Sequence, residues 1–173
     1  AKAEVFLGLE AGGTAVIPAD SPHYARLRAA AEQRGASVIS FGFAGHADVR
    51  LLDAVPAPGG GSLVTADMGD RRLCYTVSAP GEHWVANSLA VMAAVRAAGG
   101  DLGAAGLALA EMEGMKGRGA RQLIPAKGGH ALLIDESYNA NPASMRATLA
   151  QLGATPAIRR IAVLGSMKEL GDF

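Results

Sequence analysis

Residues 135–145 read DESYNANPASM and mark the point at which a strand pattern gives way to a helix pattern. The apolar run 131–134 precedes them, and Asn141, followed by proline, suits the N-cap and first turn of a helix. A strand that leads through a polar loop into a helix is typical of α/β folds, which bind ligands at the carboxyl edge of the sheet. Capping does not account for four other polar residues of the loop, which are Asp135, Glu136, Tyr138 and Asn139. The loop is therefore predicted to bind a ligand.

The rest of the chain alternates strand and helix patterns, which predicts an α/β fold. The opening third predicts strands at 14–17 and 37–41, with a helix between them for which Ser21 and Pro22 would be the N-cap and first residue. Turn chemistry at Gly69-Asp70 predicts an antiparallel hairpin. The remaining predicted elements are the hairpin strands 62–68 and 72–78, helices 82–98, 102–112 and 142–152, and strands 122–126, 131–134 and 161–164.

Composition excludes several classes of protein. Half of the 173 residues are hydrophobic and 18% are charged, which excludes wholesale disorder. The 16 basic residues balance the 16 acidic ones, so no global charge would recruit nucleic acid. The longest apolar helical pattern, 88–98, contains Arg96 and is too short to cross a bilayer, and no charged-then-apolar leader precedes it. A single cysteine, Cys74, allows no intrachain disulfide and is predicted to be a buried thiol. We expect no membrane insertion and a cytoplasmic location.

Two stretches together carry a family resemblance. DESYNANPASM, followed by VLGSMKELG at 163–171, resembles the Mur ligases of peptidoglycan synthesis, and within them the branch that adds D-alanyl-D-alanine. The resemblance covers essentially the whole chain. It implies an α/β fold in which 1–121 form the second half of a central ATPase domain and 122–173 begin a Rossmann-like C-terminal domain. The phosphate loop of the family, G-x-x-G-K-T, is absent, so the chain is predicted to be an internal fragment that is inactive alone.

The resemblance assigns a metal role to Lys2. Composition alone would make Lys2 a solvated surface residue. The family carries a lysine here that becomes a carbamate and helps to hold a Mg²⁺ ion. A negatively charged oxygen donor suits this hard cation, whereas an ammonium group would repel it.

Two further motifs are similar to nucleotide-binding signatures of the family. GEHWVAN at 81–87 resembles G-x-H-N-x-x-N and places His83 and Asn87 four residues apart on one helix face. The resemblance implies that Asn87 binds the adenine. A side-chain amide suits this role because it both donates and accepts hydrogen bonds. Gly117-Arg118-Gly119 resembles a G-R motif whose arginine contacts nucleotide. The alternatives are a helix start with an incidental histidine, Arg121 in the place of Arg118, and a merely solvated basic cluster that includes Lys116.

In the 135–141 loop the resemblance implies the adenosine side of an ATP site. Register favours Glu136 for the ribose hydroxyls, with Asp135 as the alternative, while Tyr138 and Asn139 fit contacts to the adenosine. Lys168-Glu169 would face the incoming dipeptide.

The resemblance implies an ATP-dependent amide ligase that requires Mg²⁺. It would activate a UDP-N-acetylmuramoyl tripeptide as an acyl phosphate, which the amine of D-alanyl-D-alanine attacks. Two alternatives stay open, namely another ligase of the superfamily, such as a folylpolyglutamate synthetase, and a non-catalytic nucleotide-binding module.

Overall fold

A computed structural model describes residues 2–58, 60–112, 114 and 116–167, without the side chain of Lys2. Its main unit is a five-stranded sheet in the order β1-β2-β3-β4-β5, in which β1 to β3 are parallel and β3 to β5 antiparallel. The strands are β1 Thr14–Pro18, β2 Ser37–Gly42, β3 Val49–Pro56, β4 Ser62–Asp67 and β5 Arg72–Val77. The predicted hairpin is confirmed, and Gly69 at its turn has a φ of +90°, which few other residues adopt without strain.

The sheet is covered mainly by α2, which spans Glu82–Ala97. Its buried residues recur every three or four positions and form one face, which consists of Val85, Ser88, Leu89, Met92 and Ala93. This face packs against buried residues of β3 to β5, including Val49, Val64 and Tyr75. Burial on this scale fixes the direction of α2, and with it the position of its first turn.

Three further elements surround this core. A 3₁₀ helix at Lys2–Gly8 and α1, Tyr24–Glu32, enclose a second small cluster with β1. The helix α3, Leu102–Glu111, follows α2 and is capped by Asp101, whose carboxylate accepts hydrogen bonds from two backbone amides.

The predicted start of α1 at Ser21 is wrong. Ser21 instead closes a turn, since its carbonyl accepts from the Tyr24 amide at 2.9 Å and its hydroxyl from the His23 amide at 3.2 Å.

The C-terminal part forms a smaller unit. The strands β6, Ala120–Ala126, and β7, Gly129–Asp135, pair as an antiparallel hairpin, and α4 follows at Pro142–Ala154. Asn141 caps α4 as predicted, because its side chain accepts from the amides of residues 143 and 144 while the Ser144 hydroxyl accepts from the Asn141 amide.

Two other predictions are wrong. Cys74 is exposed because it lies on β5 between Leu73 and the buried Tyr75, and alternate residues of a strand face opposite sides of the sheet. Residues 161–164 form no strand, since no described strand lies beside them to supply hydrogen bonds, and Val163 is 94% exposed. Across the described ranges, none of the helices has the length and apolar character needed to cross a membrane.

Candidate nucleotide site

The 135–141 loop is held by the Gly117-Arg118-Gly119 segment, which continues the pairing of β6 with β7. The Gly119 amide donates to the Asp135 carbonyl at 2.9 Å, and the Tyr138 amide donates to the Gly117 carbonyl at 3.1 Å. Gly117 has a φ of +75°, and a Cβ there would approach the Tyr138 Cβ to 2.9 Å. Only glycine fits this close approach, so the two motifs singled out separately in the sequence form one structure.

Asp135 anchors the loop from within. Its Oδ2 accepts from the Gly117 amide at 3.0 Å, and its Oδ1 accepts from the Ser137 amide at 3.1 Å and the Ser137 hydroxyl at 2.7 Å. The Ser137 hydroxyl, followed by the amides of Ser137 and Gly117, lowers the pKa of Asp135 because these bonds favour the carboxylate. Both oxygens already serve the protein, which leaves Glu136 as the acidic group available to a ligand.

Glu136 lies half-buried beside α2. Burial, and to a smaller extent the charge of Asp135, raises the pKa of the Glu136 carboxyl. A Cβ at Gly119 would lie 3.4 Å from the Glu136 Oε1 and 3.4 Å from the Trp84 Cζ2. The Glu136 carboxylate and the Trp84 indole therefore both lie next to Gly119. The loop and the first turn of α2 approach each other at this glycine.

An exposed aromatic residue and an arginine stand at the edge of this region. The Arg118 Cζ lies 4.5 Å from the centroid of the Tyr138 ring, which is a cation–π arrangement. Tyr138 is 69% exposed, so it offers a stacking surface to solvent rather than to the core. The arginine covers one ring face and would have to move for a ligand to stack there.

The first turns of α2 supply the predicted histidine and asparagine. The His83 ring is 5.7 Å from the Trp84 ring, and burial lowers the pKa of His83, so the imidazole is neutral at pH 7. Asn87 is exposed, and its side chain has no hydrogen-bond partner among the described residues. Asn139 accepts from the Ala140 amide at 2.8 Å, which leaves its NH₂ group to donate.

The structure thus brings most of the predicted residues to one region. Trp84, which stands where the family motif has asparagine, lies next to Gly119, as Glu136 does, and sequence reasoning did not foresee this proximity. The side chain of Lys2 and the pair Lys168-Glu169 lie outside the described residues. No hydrogen bond joins Asn87 to the loop among the described residues.

A magnesium site is not built by the described residues. Nowhere among them do three histidine, cysteine, aspartate or glutamate side chains come close enough to hold a metal ion. We therefore assign no step of a reaction to a metal held by this part of the chain.

A cavity of about 510 Å³ lies away from this region, between the 3₁₀ helix, β1 and α1. Its walls are mostly apolar and include Phe6, Ile17 and Leu27. The cavity contains none of the residues predicted to bind a nucleotide.

Comparison with known proteins places these features in a family. Residues 1–95 match the Mur ligase middle domain and residues 121–173 match the Mur ligase, glutamate ligase domain. The UDP-N-acetylmuramoyl-tripeptide–D-alanyl-D-alanine ligase of Escherichia coli (strain K12) is 31% identical over 172 residues, which is 99% of this chain and 36% of that protein. The UDP-N-acetylmuramate–L-alanine ligase of Streptomyces griseus is 34% identical over 164 residues, or 93% of this chain and 34% of that protein.

Solved structures agree with the relatives found by sequence. A crystal structure of MurF from Acinetobacter baumannii matches with a TM-score of 0.85 and 30% identity over 99% of this chain and 36% of that one. MurF from Thermotoga maritima in complex with ADP matches at 0.68 over 90% of this chain and 34% of that one, with 23% identity, and shares the fold. The chain spans about a third of the length of these relatives. A family model that matches more than half of the residues, and the agreement of fold and sequence, show that the chain belongs to the Mur ligase family.

Proposed function

We propose that the chain is part of an ATP-dependent amide ligase that joins D-alanyl-D-alanine to a UDP-N-acetylmuramoyl tripeptide in peptidoglycan precursor synthesis. The observation that carries the proposal is the loop 135–141, clasped by 117–119 and set against the first turn of α2. The name of the Escherichia coli relative supports the choice of substrates. A second D-alanyl-D-alanine ligase, from Synechocystis, supports it further, with 54% identity over 46 residues.

In this proposal the described residues bind and orient the nucleoside. Glu136 accepts hydrogen bonds from the ribose hydroxyls, and Tyr138 stacks or packs against the adenosine. His83 and Asn87 meet the adenine edge, where Asn87 donates and accepts. Arg118 leaves the Tyr138 ring and turns its guanidinium toward phosphate, which its planar fork suits.

The chemistry follows from that orientation. The γ-phosphoryl group of ATP passes to the carboxylate of the tripeptide, and the amine of the dipeptide then displaces phosphate to form the amide. The rate of phosphoryl transfer depends mainly on how the reacting groups are positioned. A nucleoside held rigidly at 135–141 would therefore promote the reaction by fixing the direction in which its phosphates extend. The carbamate at Lys2, the magnesium ion, a domain boundary near 121/122 and a cytoplasmic location remain part of the proposal.

A second candidate is a ligase that adds L-alanine instead. The Streptomyces griseus relative, with 34% identity over 93% of this chain, favours it. The two candidates share the nucleotide site and differ in both substrates, since the second would join L-alanine to UDP-N-acetylmuramate rather than D-alanyl-D-alanine to a tripeptide. A ligase that contains this chain should form amide with D-alanyl-D-alanine, and amide formation with L-alanine alone would favour the second candidate.

Nucleotide binding can be tested on the 173-residue chain itself. Trp84 is its single tryptophan and lies beside Gly119 and Glu136, so its fluorescence reports on this site. Titration with ADP should change the emission in a saturable way, and GDP should act more weakly. Phosphate release that depends on D-alanyl-D-alanine should be absent, because the chain lacks the phosphate loop. No saturable response to any adenine nucleotide would contradict the assignment of this site.

A further inference from the structure

A glutamine on α4 has an unexplained environment. The side-chain oxygen Oε1 of Gln151 is buried and has no hydrogen-bond partner among the described residues. Leaving such an acceptor unpaired is unfavourable, and a leucine of similar size would fill the same space without that penalty. The oxygen therefore points to a donor that it meets in another arrangement of α4.

The first turn of α2 offers such donors. Its N-cap is Gly81, which has no side chain to accept from the free amides of the helix. The amides of Trp84 and Val85 donate to the Gly81 carbonyl, whereas those of Glu82 and His83 have no acceptor in the described part of the chain. A helix start that lacks a cap is stabilised by any oxygen that reaches it.

Gln151 and this helix start already lie close together. A Cβ placed on Gly81 would lie 3.9 Å from the Cδ of Gln151. The same Cβ would lie 2.9 Å from the Cε1 of His83, so the His83 ring is also next to Gly81. A Cβ at Gly81 would be in ordinary van der Waals contact with the Gln151 side chain, so this side chain lies directly next to the start of α2. A small rotation of the Gln151 amide, or of α4, would bring Oε1 to the first-turn amides.

The position of Gln151 along α4 gives this contact a consequence for the site. Asn141 caps the start of α4 and belongs to the nucleotide loop, and Gln151 lies ten residues later, about 15 Å along the helix axis. A rigid helix fastened at both ends fixes the loop relative to α2. The loop and α2 carry the two groups of residues that are proposed to enclose the nucleoside.

We propose that Gln151 is a positioning residue: its side-chain oxygen caps the first turn of α2 when α4 docks, and docking sets the nucleotide loop over α2. The role in nucleotide binding rests on the proposed function, whereas the docking contact does not. Bound adenine nucleotide would favour the docked state, since it contacts both sides.

The test uses the 173-residue chain and three variants. Gln151→Leu removes the acceptor and keeps the volume, and Gln151→Glu keeps an acceptor. Gln33→Leu changes an exposed glutamine directly after α1 and serves as a control. Hydrogen exchange at the Glu82 and His83 amides is followed by NMR, with thermal unfolding in parallel. Gln151→Leu should speed exchange at these two amides about three- to tenfold and lower the melting temperature by about 2–4 °C. Gln151→Glu and Gln33→Leu should leave the exchange near the wild-type rate.

Addition of ADP separates the two proposals. In the wild-type chain ADP should slow exchange at the Glu82 and His83 amides further, and Gln151→Leu should weaken ADP binding while leaving core amides unchanged. Equal or higher stability of Gln151→Leu, with unchanged exchange at both amides, would overturn the docking contact. A variant difference that persists without any ADP response would support the contact and contradict the nucleotide role.

Discussion

Replacement of Asn87 by alanine separates a binding role from a structural one. The side chain is exposed, and no described residue pairs with it, so its removal breaks no contact that holds the fold. Alanine also has a higher helix propensity than asparagine, by up to about 0.7 kcal/mol. The free energy of unfolding of Asn87→Ala should therefore stay within about 0.5 kcal/mol of wild type or rise slightly.

Affinity for adenine nucleotide should change much more. In the proposed complex the Asn87 side-chain amide donates to and accepts from the edge of the adenine. Its removal leaves these groups of the adenine unpaired, which should weaken the binding free energy by about 1–3 kcal/mol. This corresponds to a dissociation constant for ADP that is about 5- to 150-fold higher. Titration of the Trp84 emission with ADP measures it directly, because the indole lies next to Gly119 beside the site.

A matched control lies one turn further along the same helix. Val91 is 43% exposed on α2, and Val91→Ala alters the helix without approaching the first turn. It should leave ADP affinity unchanged. If Asn87→Ala binds ADP within about twofold of wild type, or if Val91→Ala loses as much, the adenine role of Asn87 is refuted.

Three further predictions concern charge and packing. Because burial raises the pKa of Glu136, its charged form destabilises the folded state, and this loss of stability is fully present above the folded-state pKa. Glu136→Gln should therefore raise the urea midpoint of unfolding at pH 8 but not at pH 4, where the carboxyl is mostly protonated in both states. An equal increase at both pH values would contradict the destabilising effect of the charged carboxylate. Tyr75→Phe should lower the free energy of unfolding by about 0.5–1.5 kcal/mol, since it removes the 2.9 Å bond to the buried Ser88 hydroxyl; an unchanged denaturation midpoint would show that this bond adds nothing. In a ligase that contains this chain, Lys2→Ala should abolish amide formation and added short carboxylates should partly restore it, whereas near-normal turnover would make Lys2 a surface lysine.

The elements predicted from the sequence are those whose signals are local. Three signals of this kind need no distant partner. They are the two strand patterns of β4 and β5 on either side of a glycine turn, the three- and four-residue spacing of apolar residues in α2, and the asparagine cap of α4. The predictions that failed depended on contacts elsewhere in the chain. Ser21-Pro22 suits a helix start as well as a turn, and only the hydrogen bonds of Ser21 select the turn. An apolar run such as 161–164 becomes a strand only beside another strand.

The candidate site shows the same division. Residue types in the sequence pointed to the loop, and the resemblance of two short motifs to those of the family pointed to the arginine and the histidine. Gln151 escaped notice, since a glutamine in the middle of a helix is ordinary until its oxygen is found buried without a partner. Trp84 replaces an asparagine of the family motif, and its position next to Gly119, as for Glu136, depends on how the segment before β6 packs against α2.

The neighbouring carboxylates Asp135 and Glu136 illustrate how the fold assigns roles that spacing leaves open. Hydrogen bonds lower the pKa of Asp135, whereas burial raises the pKa of Glu136, so adjacent groups of the same kind differ in how readily they ionise. Asp135, whose two oxygens both accept hydrogen bonds from the protein, suits a structural anchor. The half-buried group is destabilising while it is charged and unpaired, and a ligand that donates hydrogen bonds would relieve that penalty. A vicinal pair of ribose hydroxyls is such a donor, which is why we propose Glu136 rather than Asp135 as the residue that meets the nucleoside.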